Sequence, residues 1–135
     1  MSKMNLYANF NGQCREAMTF YKSVFGGELT MQSAGESPMA AQVPAQFQDH
    51  LIHAQLDTKD WTLMASDAIG HPLTHGNDMS IMINCDSEEQ INAYYKALSV
   101  GGEVVSELKK EFWGAIYANF VDKYGIRWML NYAQN

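Results

Sequence analysis

Asp57-Thr58-Lys59-Asp60-Trp61-Thr62-Leu63-Met64 aligns without a gap on Asp122-Lys123-Tyr124-Gly125-Ile126-Arg127-Trp128-Met129. Upstream, Tyr21-Lys22 runs on to Gly26-Gly27-Glu28, and Tyr95-Lys96 runs on to Gly101-Gly102-Glu103 with one residue inserted. A repeat of this length holds more than one supersecondary unit, so it reads as two copies of a half-domain and not as a solenoid. Ligand sites favour the concave seam where packed elements meet. The duplication therefore predicts a pocket before any reactive residue is named.

Within the first copy, Leu6-Tyr7-Ala8-Asn9-Phe10 alternates like a half-buried strand. Cys14, Ala17, Met18, Tyr21, Val24 and Phe25 recur at helical spacing, and Gly26-Gly27 ends that helix. Strands are expected over 28–32, 50–57 and 61–67, the last two as a hairpin around Lys59-Asp60. The stretch 33–49, with Pro38 and Pro44, is the least regular part and reads as a lid, an interface arm or a disordered loop.

The second copy repeats the order. A strand is expected over 79–85, and Ser87-Glu88-Glu89-Gln90 fits a capping box ahead of a helix whose apolar face is Ile91, Tyr94, Tyr95 and Leu98. Gly101-Gly102 stops that helix, and strands follow over 103–108, 115–121 and 127–132. The predicted class is α+β: tandem βαβββ modules over 4–67 and 79–135, joined by a linker over 68–78, forming a curved, cleft-enclosing sheet with helices outside. All of this belongs to one 135-residue domain.

Composition narrows the function classes. At 47% hydrophobic and 18% charged, the chain suits a globular protein. No apolar run approaches the ~20 residues of a membrane helix, and the first residues lack a signal-peptide pattern. Cys14 and Cys85 stand far apart without a CxxC or a histidine at metal spacing, which fits free thiols in a cytoplasmic protein. A formal net charge of −6 and the lack of a basic stripe exclude a nucleic-acid partner. Nine methionines are the compositional oddity; they suit either an adaptable binding surface or a Met-rich core.

The duplicated βαβββ order resembles the vicinal oxygen chelate superfamily, which includes glyoxalase I, extradiol dioxygenases and bleomycin-resistance proteins. The similarity is greatest to its PhnB-like branch. It is carried by Tyr7-Ala8-Asn9-Phe10-Asn11-Gly12 with Ala17, Phe20-Tyr21-Lys22, Phe25-Gly26-Gly27, His53-Ala54 and Met64-Ala65-Ser66-Asp67. Phe112-Trp113-Gly114 and Asp122 to Met129 with Asn131 continue it through the second half. The metal-dependent members of that superfamily place one His, Glu or Gln from each of four strands on a divalent ion. The resemblance implies that those positions fall at about Leu6, Met64, Ser80 and Met129, none of which is a carboxylate or an imidazole. A slip of one residue substitutes Tyr7, Ala65, Ile81 or Leu130 and restores no ligand. No metal is therefore expected, and glyoxalase or dioxygenase chemistry loses its basis.

Other groups carry weaker signals. His53 reads either as a proton-transfer residue or, preferred, as a core histidine donating to a backbone carbonyl. His50 should point to the opposite face, and His71 and His75 lie in the linker, so no histidine cluster forms. Ser66 lacks a Gly-x-Ser-x-Gly turn, so strand-end capping by Ser66-Asp67 is preferred to a nucleophile. Trp113 reads as a wall for a ligand or as a hydrophobic plug. Met129 should share a face with Arg127 and Asn131, opposite to Trp128, which makes Asn131 the preferred polar contact.

Some relatives are labelled methyltransferases of the ubiquinone pathway. Here no glycine-rich strand-to-helix turn exists for a nucleotide-type cofactor, and none is expected. The predicted function is a metal-free small-molecule binding protein, with His53, Met64, Ser66, Ser80, Met82, Trp113, Met129 and Asn131 at the ligand. An excess of negative charge favours an apolar or mildly cationic compound. The alternative is an enzyme of the same superfamily that uses a non-standard metal site or His53 as acid or base. Similarity to the superfamily also implies a homodimer.

Overall fold

The computed structural model describes residues 2–133. The first half runs β1 (Leu6–Phe10), α1 (Cys14–Phe25), β2 (Glu28–Ser33), β3 (Leu51–Asp57) and β4 (Thr62–Asp67). The second runs β5 (Ile81–Asn84), α2 (Glu88–Leu98), β6 (Glu103–Lys110), β7 (Ala115–Val121) and β8 (Arg127–Ala133). The predicted α+β class and the tandem βαβββ order both hold. The strands form two four-stranded sheets ordered β1-β4-β3-β2 and β5-β8-β7-β6, so each half repeats the other's topology. In both, the first strand runs parallel to the last, and the remaining pairs are antiparallel. The chain divides into compact units over 1–74 and 75–135; positions 134 and 135, the end of the second predicted module, lie outside the described residues.

Each sheet buries one face under its own helix. In unit 1, β4 alternates between buried Leu63, Ala65 and Asp67 and half-buried Thr62, Met64 and Ser66, the period of two that a one-sided strand requires. The buried set meets Cys14, Ala17, Met18 and Tyr21 of α1, and Phe10 lies 6.5 Å from the Tyr21 ring. In unit 2, Ala118, Phe120, Trp128 and Leu130 are buried with Ile91 and Leu98 of α2, and Tyr95 packs edge-on to Phe120 at 5.8 Å. On the opposite face of each sheet the residues that alternate with the buried ones are half-buried or exposed, away from the unit's α-helix.

Several local expectations change. The segment 33–49 is folded into three short 3-10 turns, Ala34–Glu36, Ala40–Gln42 and Ala45–Phe47. A capping box sits there, with the Ser33 hydroxyl accepting from the Glu36 amide and the Glu36 carboxylate accepting from the Ser33 amide. Gln48 Nε2 ties the turns by donating to the carbonyls of Ala40 (2.9 Å) and Val43 (2.7 Å). The predicted box at Ser87 is only half formed. Ser87 Oγ accepts from the Gln90 amide at 3.0 Å, but the Gln90 side chain accepts from Asp86 N at 2.8 Å. Helix α2 ends at Leu98, before Gly101-Gly102, through a Ser99 cap.

Candidate functional site

Parallel pairing of the first and last strand within each sheet sets up corresponding residue pairs in the two units. Tyr7 lies opposite Met64 and Asn9 opposite Ser66 in unit 1; Met82 lies opposite Met129 and Asn84 opposite Asn131 in unit 2. These residues alternate with the buried ones, so they share the open face of their sheet. A polar pair marks the same place in both. Ser66 Oγ donates to Asn9 Oδ1 at 3.1 Å, and Asn131 Nδ2 donates to Asn84 Oδ1 at 3.2 Å.

This geometry corrects two positions assigned from sequence. Leu6 lies opposite Leu63 and so belongs to the helix-covered face; Tyr7 takes its place on the open one. Ser80 is exposed and precedes β5, so the strand residue facing Met129 is Met82. Of the other predicted residues, Met64, Ser66, Met82, Met129 and Asn131 stand on the open faces as expected. Ser66 does not cap its strand. Asp67 does the tying: its buried carboxylate accepts from the amides of Cys14 and Leu51, both at 2.9 Å.

His53 is half-buried on the open face of unit 1 rather than in the core. Its Nε2 lies 3.4 Å from Gln55 Oε1, and its ring centroid is 6.1 Å from that of Tyr7. Gln55 Nε2 donates to both carboxylate oxygens of Asp57 at 3.0 Å, and Thr62 Oγ1 donates to Asp57 Oδ1 at 2.9 Å. Alternation along β3 sets His53, Gln55 and Asp57 in one line on one face. Trp113 lies in the β6–β7 turn, 53% exposed, and stacks edge-on against Phe112 (4.9 Å) and Tyr117 (5.9 Å). It is therefore not a buried plug of its unit.

Sequence reasoning missed Asn9, Gln55, Asp57, Tyr117 and Asn84. Asn9 and Asn84 were within reach, because stepping two residues on from the methionine partners along each first strand finds both. The cysteines are spent structurally. Burial, helped by the Asp67 carboxylate, pushes the Cys14 thiol up to about 12. Burial, with Asp86 beside it, pushes Cys85 up to about 11. Neither supplies a thiolate near neutrality.

Residues 2–131 match the family described as 3-demethylubiquinone-9 3-methyltransferase. The chain belongs to that family. Protein PA1353 of Pseudomonas aeruginosa is 35% identical, with a TM-score of 0.86 over 98% of this chain and 100% of its own. A PhnB protein from Bacillus cereus, bearing the same methyltransferase description, is 24% identical and superposes with a TM-score of 0.80 over 98% of this chain and 100% of its own. A glyoxalase/bleomycin resistance protein from Albidiferax ferrireducens T118, 18% identical, shares the fold at a TM-score of 0.65 over 96% and 98% of the two chains. The expected PhnB-like branch of the glyoxalase/bleomycin-resistance fold is thus the right one.

Two groups implied by this 3-demethylubiquinone-9 3-methyltransferase family and its fold can be tested on the residues present. The superfamily's divalent ion is held by His, Glu or Gln side chains, whereas the open-face pairs offer thioethers, a phenol, a hydroxyl and short Asn carboxamides, with no carboxylate or imidazole among them. Among the described residues no group of three or more His, Cys, Asp or Glu side chains is arranged for a metal. That donor set does not fit the ion. A nucleotide-type methyl donor does not fit the glycine turns or the helix starts either. The first amide of α1 is already held by Asp67, and the α2 start is capped by Ser87. Gly26 follows the end of α1, where its amide donates back to Lys22 O, and so offers no N-terminal amides to a phosphate.

Proposed function

We propose that this protein binds a small molecule on its open sheet faces without a resident metal ion. The observation that carries the reading is the matched register of uncharged Met, Tyr, amide and hydroxyl side chains on the two open faces: Tyr7/Met64 with Asn9/Ser66, and Met82/Met129 with Asn84/Asn131. A thioether floor beside a few placed polar groups suits an organic ligand, because Met adapts its shape and the amides fix orientation. The net charge of −6 favours an apolar or mildly cationic compound over an anion.

The test is metal analysis of the purified protein followed by thermal-shift measurements with zinc, nickel and manganese. Bound metal at less than a tenth of the protein, with an unchanged melting temperature, is the expected result. A folded-state metal site would raise the transition by mass action, and such a rise would reverse the assignment.

A second reading, an enzyme of the same superfamily, has one observation in its favour. Asp57 anchors Gln55, which in turn faces His53, so the imidazole is oriented on the open face. This arrangement suits an acid/base residue. It gains weight if a divalent ion stabilises the protein and His53→Ala abolishes that stabilisation.

We also infer a cytoplasmic homodimer. Two free, buried thiols suit a reducing compartment, and the exposed Val105 and Phe112 give unit 2 apolar surface to cover. Light scattering at micromolar concentration should return twice the chain mass; a monodisperse monomer would refute the dimer.

A further inference from the structure

The two repeat-related polar pairs are not chemically equivalent, and the difference specifies a ligand. In unit 1 the pair is a hydroxyl donating to a carboxamide, Ser66 to Asn9. In unit 2 both members are carboxamides, Asn131 donating to Asn84. Each planar amide has two donor hydrogens on nitrogen and two acceptor sites on oxygen. The single bond between them uses one donor of Asn131 and one acceptor site of Asn84. Among the described residues, neither side chain has another hydrogen-bond partner. The Asn84 Nδ2 hydrogens and the Asn131 Oδ1 are thus left for a ligand, on two residues paired directly across β5 and β8.

A fixed donor beside a fixed acceptor matches a group that has a carbonyl next to an N–H. The surroundings select further. Met82 and Met129 lie one alternation back along the same two strands, forming an apolar floor, and Tyr117 stands opposite Asn131 across β7. None of these five side chains is a carboxylate, an amine or a guanidinium. Arg127, one alternation beyond Met129, is the next charge along β8, and it disfavours a cation at this spot. Of the apolar or mildly cationic compounds that the overall charge favours, this face therefore selects the uncharged ones.

We propose that the Asn84–Asn131 pair recognises the cis-amide edge of a neutral cyclic amide, imide or ureide, whose ring rests on Met82 and Met129. Asn84 Nδ2 donates to the ligand carbonyl, and the ligand N–H donates to Asn131 Oδ1. This assignment rests on the reading that the open face of unit 2 takes a small molecule, and it names the chemical class. Unit 1, with a rotatable hydroxyl at Ser66, cannot present the same fixed edge.

The experiment is NMR titration of the full chain, labelled on Met methyls and Asn side-chain amides, with three probes: δ-valerolactam, N-methyl-δ-valerolactam and cyclohexanone. The expected result is movement of the Met82 and Met129 methyl signals with all three probes. Only δ-valerolactam should move both the Asn84 and Asn131 amides, and it should bind roughly fivefold or more tightly than its N-methyl analogue, the selectivity of about one net hydrogen bond. Asn131→Ser, which copies unit 1, should abolish that preference, and Asn84→Ser should weaken binding of both lactams, while the methionine shifts persist. Equal affinity for the two lactams, or a preference surviving Asn131→Ser, would overturn the assignment while leaving the binding reading intact. Unmoved methionine methyls with every probe would overturn both.

Discussion

Asp57 and Asp122 are the same residue of the repeat, yet they serve opposite ends. Asp122 is buried at 3% exposure; its Oδ1 accepts from the amides of Tyr124 (2.8 Å) and Ile126 (3.0 Å), and its Oδ2 accepts from the Trp128 indole at 2.8 Å. The residue matching Trp128 in the first copy is Leu63, which has no donor. Asp57 is exposed and bonds Gln55 and Thr62 on the open face instead. Asp122→Ala should therefore cost about 3 kcal/mol or more, because two buried donors and one part-buried donor lose their acceptor, whereas Asp57→Ala should stay within about 1 kcal/mol. Urea denaturation of both variants measures the contrast. Asp67→Ala should resemble Asp122→Ala at about 2–5 kcal/mol, since the Cys14 and Leu51 amides are stranded. Cys14 adds a pH dependence. Its folded thiol is pushed up to about 12, while the unfolded thiol ionises near its ordinary value. The folded state therefore holds a proton that the unfolded state has lost. Stability is then intact below the unfolded value and drains away as the solution becomes more alkaline. Denaturation midpoints between about pH 8 and 10.5 should fall, and fall less in Cys14→Ala.

Strand and helix identities were largely legible because the pattern is simple. A helix covers one face of each sheet, so buried and half-buried residues alternate along β4 and β7, and the period of two is visible in the amino acids themselves. Phase was harder. Leu6-Tyr7 reads equally well with either residue inward, because the strand's edge position leaves Leu6 39% exposed even on the covered side. The turns of 34–47 were invisible since they are closed by side-chain contacts such as Gln48 to Ala40 and not by periodicity. The glycine pairs were legible as punctuation but not in their detail. Gly102 lies outside the positive-φ region, yet a Cβ there would collide with the carbonyl oxygen of Val121. Gly26 is the reverse, with φ of +76° and nothing within 4 Å. Gly102→Ala should cost about 1–3 kcal/mol and shift the Val121 amide resonance by forcing β7 aside. Gly26→Ala should cost about 1–2 kcal/mol through backbone strain alone and leave β7 unmoved.

Across the chain, the −6 net charge should leave the protein unable to hold duplex DNA at about 0.15 M salt, which a mobility-shift assay can check. No helix among the described residues is long and apolar enough to cross a membrane. Family membership sets the architecture and says little about chemistry. The excursion between β2 and β3 begins and ends at one place. Ala34 N bonds His50 O and Gly35 N bonds Gln48 O, both at 2.8 Å, next to the paired Ser33 and Leu51. Such a clasped base uncouples the tip from the sheet, since lengthening an already closed loop adds only about 0.6 kcal/mol per doubling. The exposed stretch around Ala41 is accordingly the natural graft point for an epitope or a fluorescent reporter, leaving both sheets free to be studied as they are.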